Sequence, residues 1–170
     1  MSSYKQNSLQ GDAELVEIYK DFGVETIFEN GSIILKKIET HSEKPIILDL
    51  NNCPDIAQTI AVNCFALGIG CHLSGLRTLK IKETDRLEAL KTELSKLGAK
   101  VVVTNDSMTL NVGTVLNSNI SISTYQDHRM AMSFAPLALK TDLIIENTEV
   151  VSKSYPNFWK DLEKIGFQIQ

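Results

Sequence analysis

The chain repeats itself, and a repeat of mixed helix and strand signals limits the fold more than any other feature of the sequence. GDAELVEIYKDFGVETIFENGSIIL, from Gly11, and TDRLEALKTELSKLGAKVVVTNDSMTL, from Thr84, each read as an amphipathic helix, a glycine stop, a strand, a polar turn and a second strand. Gly23 and Gly98 lie 75 residues apart, and so do the turn residues Asn30 and Asn105. Asn30-Gly31 and Asn105-Asp106 both tolerate a positive φ, which predicts two-residue hairpins at these points. A second pairing sets PDIAQTIAVNCFAL, from Pro54, against QDHRMAMSFAPLAL, from Gln126, with Asp55 and Asp127 72 residues apart. Lys82 and Lys153 follow at a separation of 71. The unit is helix, strand, helix and strand pair, roughly 70 residues long. The chain then holds the end of one unit (about 1–40), a full unit (about 41–113) and most of a third (about 114–170). Few, large α/β units pack around a pseudo-axis and do not stack into a long solenoid.

The helices have clear edges. Leu87, Leu90, Leu94 and Leu97 share one face of the helix that Gly98 stops, and Asp85 with Glu88 forms a capping-box pattern at its start. The segments Ile56 to Leu67 and Met130 to Leu139 are almost wholly apolar and read as buried helices. A fifth helix is expected from near Ser154, with Pro156 in its first turn.

Composition narrows the class. Of 170 residues, 43 % are apolar and 22 % charged, enough for a packed core. Seventeen basic against twenty-one acidic residues give a net charge of −4, which argues against a broad positive face for nucleic acid. No apolar run approaches the ~18–20 residues of a membrane span, and MSSYKQNSLQGD lacks a signal peptide's apolar stretch, so a cytoplasmic protein is expected. Cys53, Cys64 and Cys71 are odd in number and unevenly spaced, which predicts buried reduced thiols and no zinc site. Asn30, Asn105 and Asn119 open N-x-S sequons that read as turn residues for the same compartment reason.

The charged residues fall in one kind of place. Asp55 follows Pro54 in a first helical turn; Lys82, Glu83 and Arg86 flank the cap Asp85; Asp127, His128 and Arg129 open another helix; Lys153 precedes the last one. A helix N-terminus carries unpaired N–H groups and about half a positive charge, so it suits anions and disfavours Arg or Lys by a few tenths of a kcal/mol. Several cations at such points make sense if they share an anionic ligand, because helix ends and guanidinium forks together bind phosphate or carboxylate. Singly, each has a plainer reading: Asp55 as a dipole partner, Glu83 with Arg86 as a surface ion pair, His128 as a capped histidine, Lys153 as a solvated lysine. GIGCHLSG, from Gly68, follows a helix and not a strand, which excludes a dinucleotide loop.

The combination is more specific than its parts. LKIKETDRLEALKTELSKLGAKV, from Leu79, with YQDHRMAMSFAPLAL, from Tyr125, resembles the EPSP synthases (3-phosphoshikimate 1-carboxyvinyltransferases), and NSLQGD, CPDIAQTIA and VVSKSYPNFWKDLEKIGF match the same family in the same order. The resemblance runs over essentially the whole chain and over roughly the C-terminal two-fifths of such an enzyme. It implies an α/β (α+β) fold of βαβαββ units around a pseudo-threefold axis, the inside-out barrel of enolpyruvyl transferases, here incomplete and without the N-terminal domain. It further implies transfer of the enolpyruvyl group of phosphoenolpyruvate to the 5-hydroxyl of shikimate 3-phosphate, with release of phosphate and no metal or organic cofactor. By motif match, Asp55 acts on the 5-hydroxyl, Lys82 contacts shikimate 3-phosphate, Arg86, Arg129 and Lys153 hold phosphoenolpyruvate, Glu83 handles the methylene proton, and Asp127 with His128 orders Arg129. Thr78 stands where many members carry asparagine, so its contact with shikimate 3-phosphate rests on a hydroxyl. Half a cleft leaves its substrates solvated, so this chain alone is expected to be inactive, and apolar surface beside the partial unit is expected to promote self-association. The rivals are a non-catalytic anion-binding or scaffold module and the sister UDP-N-acetylglucosamine 1-carboxyvinyltransferase, which lacks the Lys82–Arg86 run.

Overall fold

The structure, a computed structural model, describes residues 6–39, 44–111 and 115–170. The expected unit boundaries at 40/41 and 113/114 lie outside the described residues. Between them the full unit has the order strand, helix, strand, helix, strand, strand. Strand β3 (Ile46–Asp49) leads through a 3-10 turn (Pro54–Ile56) into helix α2 (Ala57–Leu67), and β4 (Cys71–Ser74) follows. A second 3-10 turn (Arg77–Ile81) leads to α3 (Arg86–Lys96) and then to β5 (Lys100–Val103) and β6 (Met108–Asn111). The sheet order is β3-β4-β6-β5, with β3 parallel to β4 and the other pairs antiparallel.

The flanking units repeat parts of this plan. The first has a 3-10 turn (Gly11–Glu14), a one-turn helix α1 (Leu15–Ile18) and the hairpin β1 (Val24–Glu29)/β2 (Ser32–Lys37). The third has β7 (Ile120–Ile122), α4 (His128–Phe134) running into a 3-10 turn (Ala135–Leu139), β8 (Leu143–Ile145), a 3-10 turn (Thr148–Lys153) and α5 (Phe158–Lys164). β7 and β8 are parallel, like β3 and β4. Each parallel pair is tied at its start by a backbone bond to the residue before the second strand: Ile46 N–H donates to the Gly70 carbonyl, and Asn119 N–H to that of Asp142. The mixed βα fold read from the repeat is therefore present.

Helix α2 is buried on nearly every side, as its apolar composition demands. Ala57, Ile60, Ala61 and Cys64 are fully enclosed, and Gly68 ends the helix in the left-handed conformation. Leu87, Leu90 and Leu94 of α3 and Leu97 just after it are equally enclosed and join the same core with Leu73 and Met108 of the sheet. Cys53, Cys64 and Cys71 are all buried free thiols. On the outer faces Ile47, Val102 and Ile144 are exposed, as are Ile34 and Leu35 on the hairpin. Among the described residues, no helix is long and apolar enough to cross a membrane.

Four local expectations need correction. The Asn30-Gly31 turn has both φ angles positive, but Asn105-Asp106 does not; there the Thr104 hydroxyl closes the loop by accepting from the Asp106 and Ser107 amides. The Asp85 carboxylate caps α3 through the Leu87 and Glu88 amides, yet Glu88 pairs with Lys91 and does not complete a capping box. The fourth helix loses α geometry at Ala135, because Pro136 has no N–H to continue the ladder. The fifth starts at Phe158, since Pro156 disfavours helical geometry at Tyr155 and stays in the preceding turn.

Gly75, at the end of β4, has a φ of +74°, and a Cβ there would lie 2.5 Å from the Asn51 nitrogen and 2.6 Å from Asp49 Oδ1. Gly31 has a similar φ of +73° and open space around it. Urea unfolding is expected to show Gly75→Ala costing at least about 2 kcal/mol more than Gly31→Ala, which carries backbone strain of about 1 kcal/mol alone.

Candidate active site

The opening turns of α2, α3 and α4 meet around one side chain. Arg86, the first residue of α3, is only 3 % exposed, and its guanidinium is bound by three carboxylates. Nε donates to Asp127 Oδ2 at 2.5 Å and Nη2 to Asp127 Oδ1 at 3.3 Å. Nη1 donates to Asp55 Oδ1 at 2.9 Å, and Nη2 also reaches Glu83 Oε2 at 2.8 Å. Four of its five N–H groups are thus committed within the protein, leaving one on Nη1. Asp127 is completely buried and also caps α4, accepting from the Arg129 amide at 2.8 Å.

A ring of more exposed cations surrounds this centre. Lys82 Nζ lies 3.3 Å from Asp55 Oδ1. The Arg129 guanidinium donates to the Asp55 carbonyl at 3.1 Å and lies 3.6 Å from Asp12 Oδ2 and 3.9 Å from Asp55 Oδ2. Lys153 makes no direct ion pair among the described residues, but its charge reaches both Glu83 and His128. Asp55, Glu83, Arg86 and Arg129 therefore meet in direct contact from three segments, and Lys153 acts on them electrostatically from a fourth. Thr78 lies apart from them in contacts: it is exposed on the 3-10 turn before Lys82, with no hydrogen bond among the described residues.

The assigned roles shift in two respects. Asp127 holds the side chain of Arg86 and only the backbone of Arg129, so the residue it orders is chiefly Arg86. Arg86 in turn acts first as the buried counter-ion of Asp55, Glu83 and Asp127. Sequence reading also missed Asp12, which faces Arg129. Its signal was NSLQGD: a Cβ on Gly11 would come within 2.9 Å of the Asn52 carbonyl oxygen, so only glycine lets this turn press against the loop before Asp55.

The turn that delivers Asp127 is strained. Tyr125 and Gln126 have φ of 53° and 58°, and the Asp127 N–H closes the turn on the Thr124 carbonyl. Left-handed geometry at two non-glycine residues costs about 1–3 kcal/mol each and persists only where neighbours enforce it. Those neighbours include Glu93, a fully buried carboxylate on α3 missed by the sequence analysis. It accepts from the Tyr125 hydroxyl at 2.8 Å, the Ser123 amide at 3.1 Å and Lys96 at 2.7 Å. Burial and the Glu93 carboxylate push the Tyr125 phenol up to about 12.

The electrostatics are those of a balanced network. The backbone amide of Glu83 holds its carboxyl below the usual range, and Arg86, Lys153 and His128 add to the effect. Burial lowers His128, with Arg129 and Lys153 pushing the same way against Asp127 and Glu83. Glu83, Asp127 and His128 bring potential ligand atoms within 4.8 Å of one another, but both Asp127 oxygens and Glu83 Oε2 already face the Arg86 cation. A second cation there would sit against that charge. The set suits an anionic ligand better, met by Lys82, Arg129 and Lys153 at the rim.

The sequence profile of the family described as EPSP synthase (3-phosphoshikimate 1-carboxyvinyltransferase) matches residues 2–162. A 3-phosphoshikimate 1-carboxyvinyltransferase from Bacteroides fragilis is 45 % identical over 168 residues, covering 97 % of this chain and 41 % of that protein. One from Clostridioides difficile is 38 % identical, with 97 % and 38 % covered. The chain thus spans about two-fifths of the length of these relatives. Among solved structures, an EPSP synthase from Acinetobacter baumannii superposes with a TM-score of 0.78 at 21 % identity, over all of this chain and 42 % of that one. The enolpyruvyl transferase NikO from Streptomyces tendae gives 0.64 at 14 % identity, over 91 % and 35 %. These two structures support the fold.

If Lys153 acts on the site as described, removing its charge relieves His128. The NMR titration of His128 is expected to have a midpoint below 6.5 in the wild type, and Lys153→Ala is expected to raise it. Because this folded midpoint lies below the unfolded one, protonation of His128 destabilises the fold as pH drops below about 6.5, down to the folded midpoint.

Proposed function

The chain belongs to the EPSP synthase family, and we propose that it forms one wall of the active site of a cytoplasmic 3-phosphoshikimate 1-carboxyvinyltransferase whose other wall comes from a complementary segment. The observation that supports this reading is the meeting of Asp55, Glu83, Arg86 and Arg129 at the mouths of three helices, with Lys82 and Lys153 beside them. Shikimate 3-phosphate and phosphoenolpyruvate are both polyanions, and the exposed rim cations match them in charge.

In this mechanism Arg129, Lys153 and the remaining N–H of Arg86 hold the phosphate and carboxylate of phosphoenolpyruvate. Lys82, with Thr78 near it in sequence, contacts shikimate 3-phosphate. Asp55 orients the 5-hydroxyl and takes its proton as the oxygen bonds to C2 of phosphoenolpyruvate. Glu83 delivers a proton to the methylene carbon, giving a tetrahedral intermediate. The same group takes a proton back from that carbon as the C–O bond to phosphate breaks and the enolpyruvyl product forms. The backbone hydrogen bond and neighbouring cations that lower the Glu83 pKa keep it ionised, the form that accepts a proton. Anionic substrates on Arg86 and Lys153 would offset that positive potential and raise its proton affinity for the donor step.

The scaffold and sister-enzyme readings have no residue here that favours them. The exposed apolar residues Ile34 and Leu35 support contact of the first-unit hairpin with other protein, the complementary segment or a second copy.

A coupled phosphate-release assay tests the proposal. The chain alone is expected to release no phosphate from the two substrates, because water screens a half-open cleft. Together with the complementary segment of a relative it is expected to turn over, and Asp55→Asn is expected to lower kcat at least about 100-fold. Turnover that ignores Asp55→Asn would overturn the assignment.

A further inference from the structure

Three side chains of helix α3 reach the third unit, and the Lys96 carbonyl at the end of the helix also accepts from the Asn117 side chain. Arg86 meets Asp127, and Glu93, seven residues and about two turns later, meets Ser123 and Tyr125. Lys96, one turn further on, donates to both Glu93 and the Ser121 carbonyl. The contacts of these three side chains fall on the stretch from β7 to α4. That stretch includes the left-handed Tyr125–Gln126 turn, which presents Asp127 to the site.

From this arrangement we propose that Glu93 is a positioning residue: its buried carboxylate clamps the Tyr125–Gln126 turn and so fixes where Asp127, Arg86 and the opening of α4 stand. The inference rests on the functional reading above for its link to turnover. The geometry makes the clamp two-sided. One Glu93 oxygen takes the Tyr125 hydroxyl and the other takes the Ser123 amide, so backbone and side chain are held before the chain enters the strained turn. The Asp127 carboxylate must satisfy the Arg129 amide and two nitrogens of Arg86 together, a geometry that a relaxed turn would lose. Asp55 and Glu83 bind the same guanidinium, so a displaced Arg86 would displace both.

The test pairs a spectroscopic readout on this chain with kinetics on the chain plus its complementary segment. In nitrogen-15 NMR, the Arg86 Nε–H bonded to buried Asp127 is expected as a slowly exchanging signal. Glu93→Ala and Tyr125→Phe are expected to speed its exchange at least about tenfold, and Glu93→Gln, which keeps an acceptor oxygen, to restore most of the protection. In the assembled system, Glu93→Ala and Tyr125→Phe are expected to lower kcat by about tenfold or more and to raise the KM for phosphoenolpyruvate, whose ligands Arg86 and Arg129 shift with the turn. An unchanged Arg86 signal in a folded variant, even with a lowered Tm, would make Glu93 a core tie and overturn the proposal; Tyr125→Phe serves if Glu93→Ala fails to fold. If the wild-type pair released no phosphate, the functional reading would fall, and the Arg86 signal alone would still decide whether Glu93 sets the position of that side chain.

Discussion

One guanidinium organises this molecule. Arg86 is buried to 3 % exposure and binds three carboxylates drawn from three stretches of sequence. Buried ion pairs of this kind add little net stability, because desolvation offsets most of the attraction. Their effect is geometric. A removed partner leaves an uncompensated charge, so the opening turns of α2, α3 and α4 are held to one mutual arrangement. Helix packing sets these turns near one another, and the shared cation fixes their side chains.

The repeat explains why a single arginine can do this. Asp55 and Asp127 occupy matching positions in successive units, each at the entrance of the helix that joins two parallel strands. Arg86 lies between these two pseudo-equivalent aspartates and bonds to both. Lys82 and Lys153 are the next matched pair, and they take unlike places: one sits directly on Asp55, the other acts at a distance on Glu83 and His128. Duplicated backbone thus carries an asymmetric set of charges.

Much of the fold could be read in the sequence because it depends on local signals. Periodic leucines in α3, the apolar run of α2 and the glycines at 23 and 98 report on structure within a few residues of themselves. The errors were local too. Asn105 and Asp106 tolerate a positive φ without requiring it, and the Thr104 hydroxyl supplied another way to close the turn. The family motifs brought most of the site together on paper, but not its wiring. That Asp127 pairs with Arg86 across 41 positions, or that Glu93 faces Tyr125 across 32, follows only from how α3 lies against the third unit. Asp12 is a similar case, since its approach to Arg129 depends on the close passage of Gly11 over the Asn52–Cys53 backbone.

Asp12, Asp55, Glu83 and Asp127 balance Lys82, Arg86, Arg129 and Lys153 in formal charge, so this wall of the site carries no net charge. Such a wall projects little long-range field, so a polyanion diffusing through solvent gains little electrostatic acceleration from it. On the proposed function, attraction begins at contact range, where an incoming oxyanion would replace a carboxylate beside Lys82 or Arg129. On that reading, encounter with this surface depends only weakly on ionic strength.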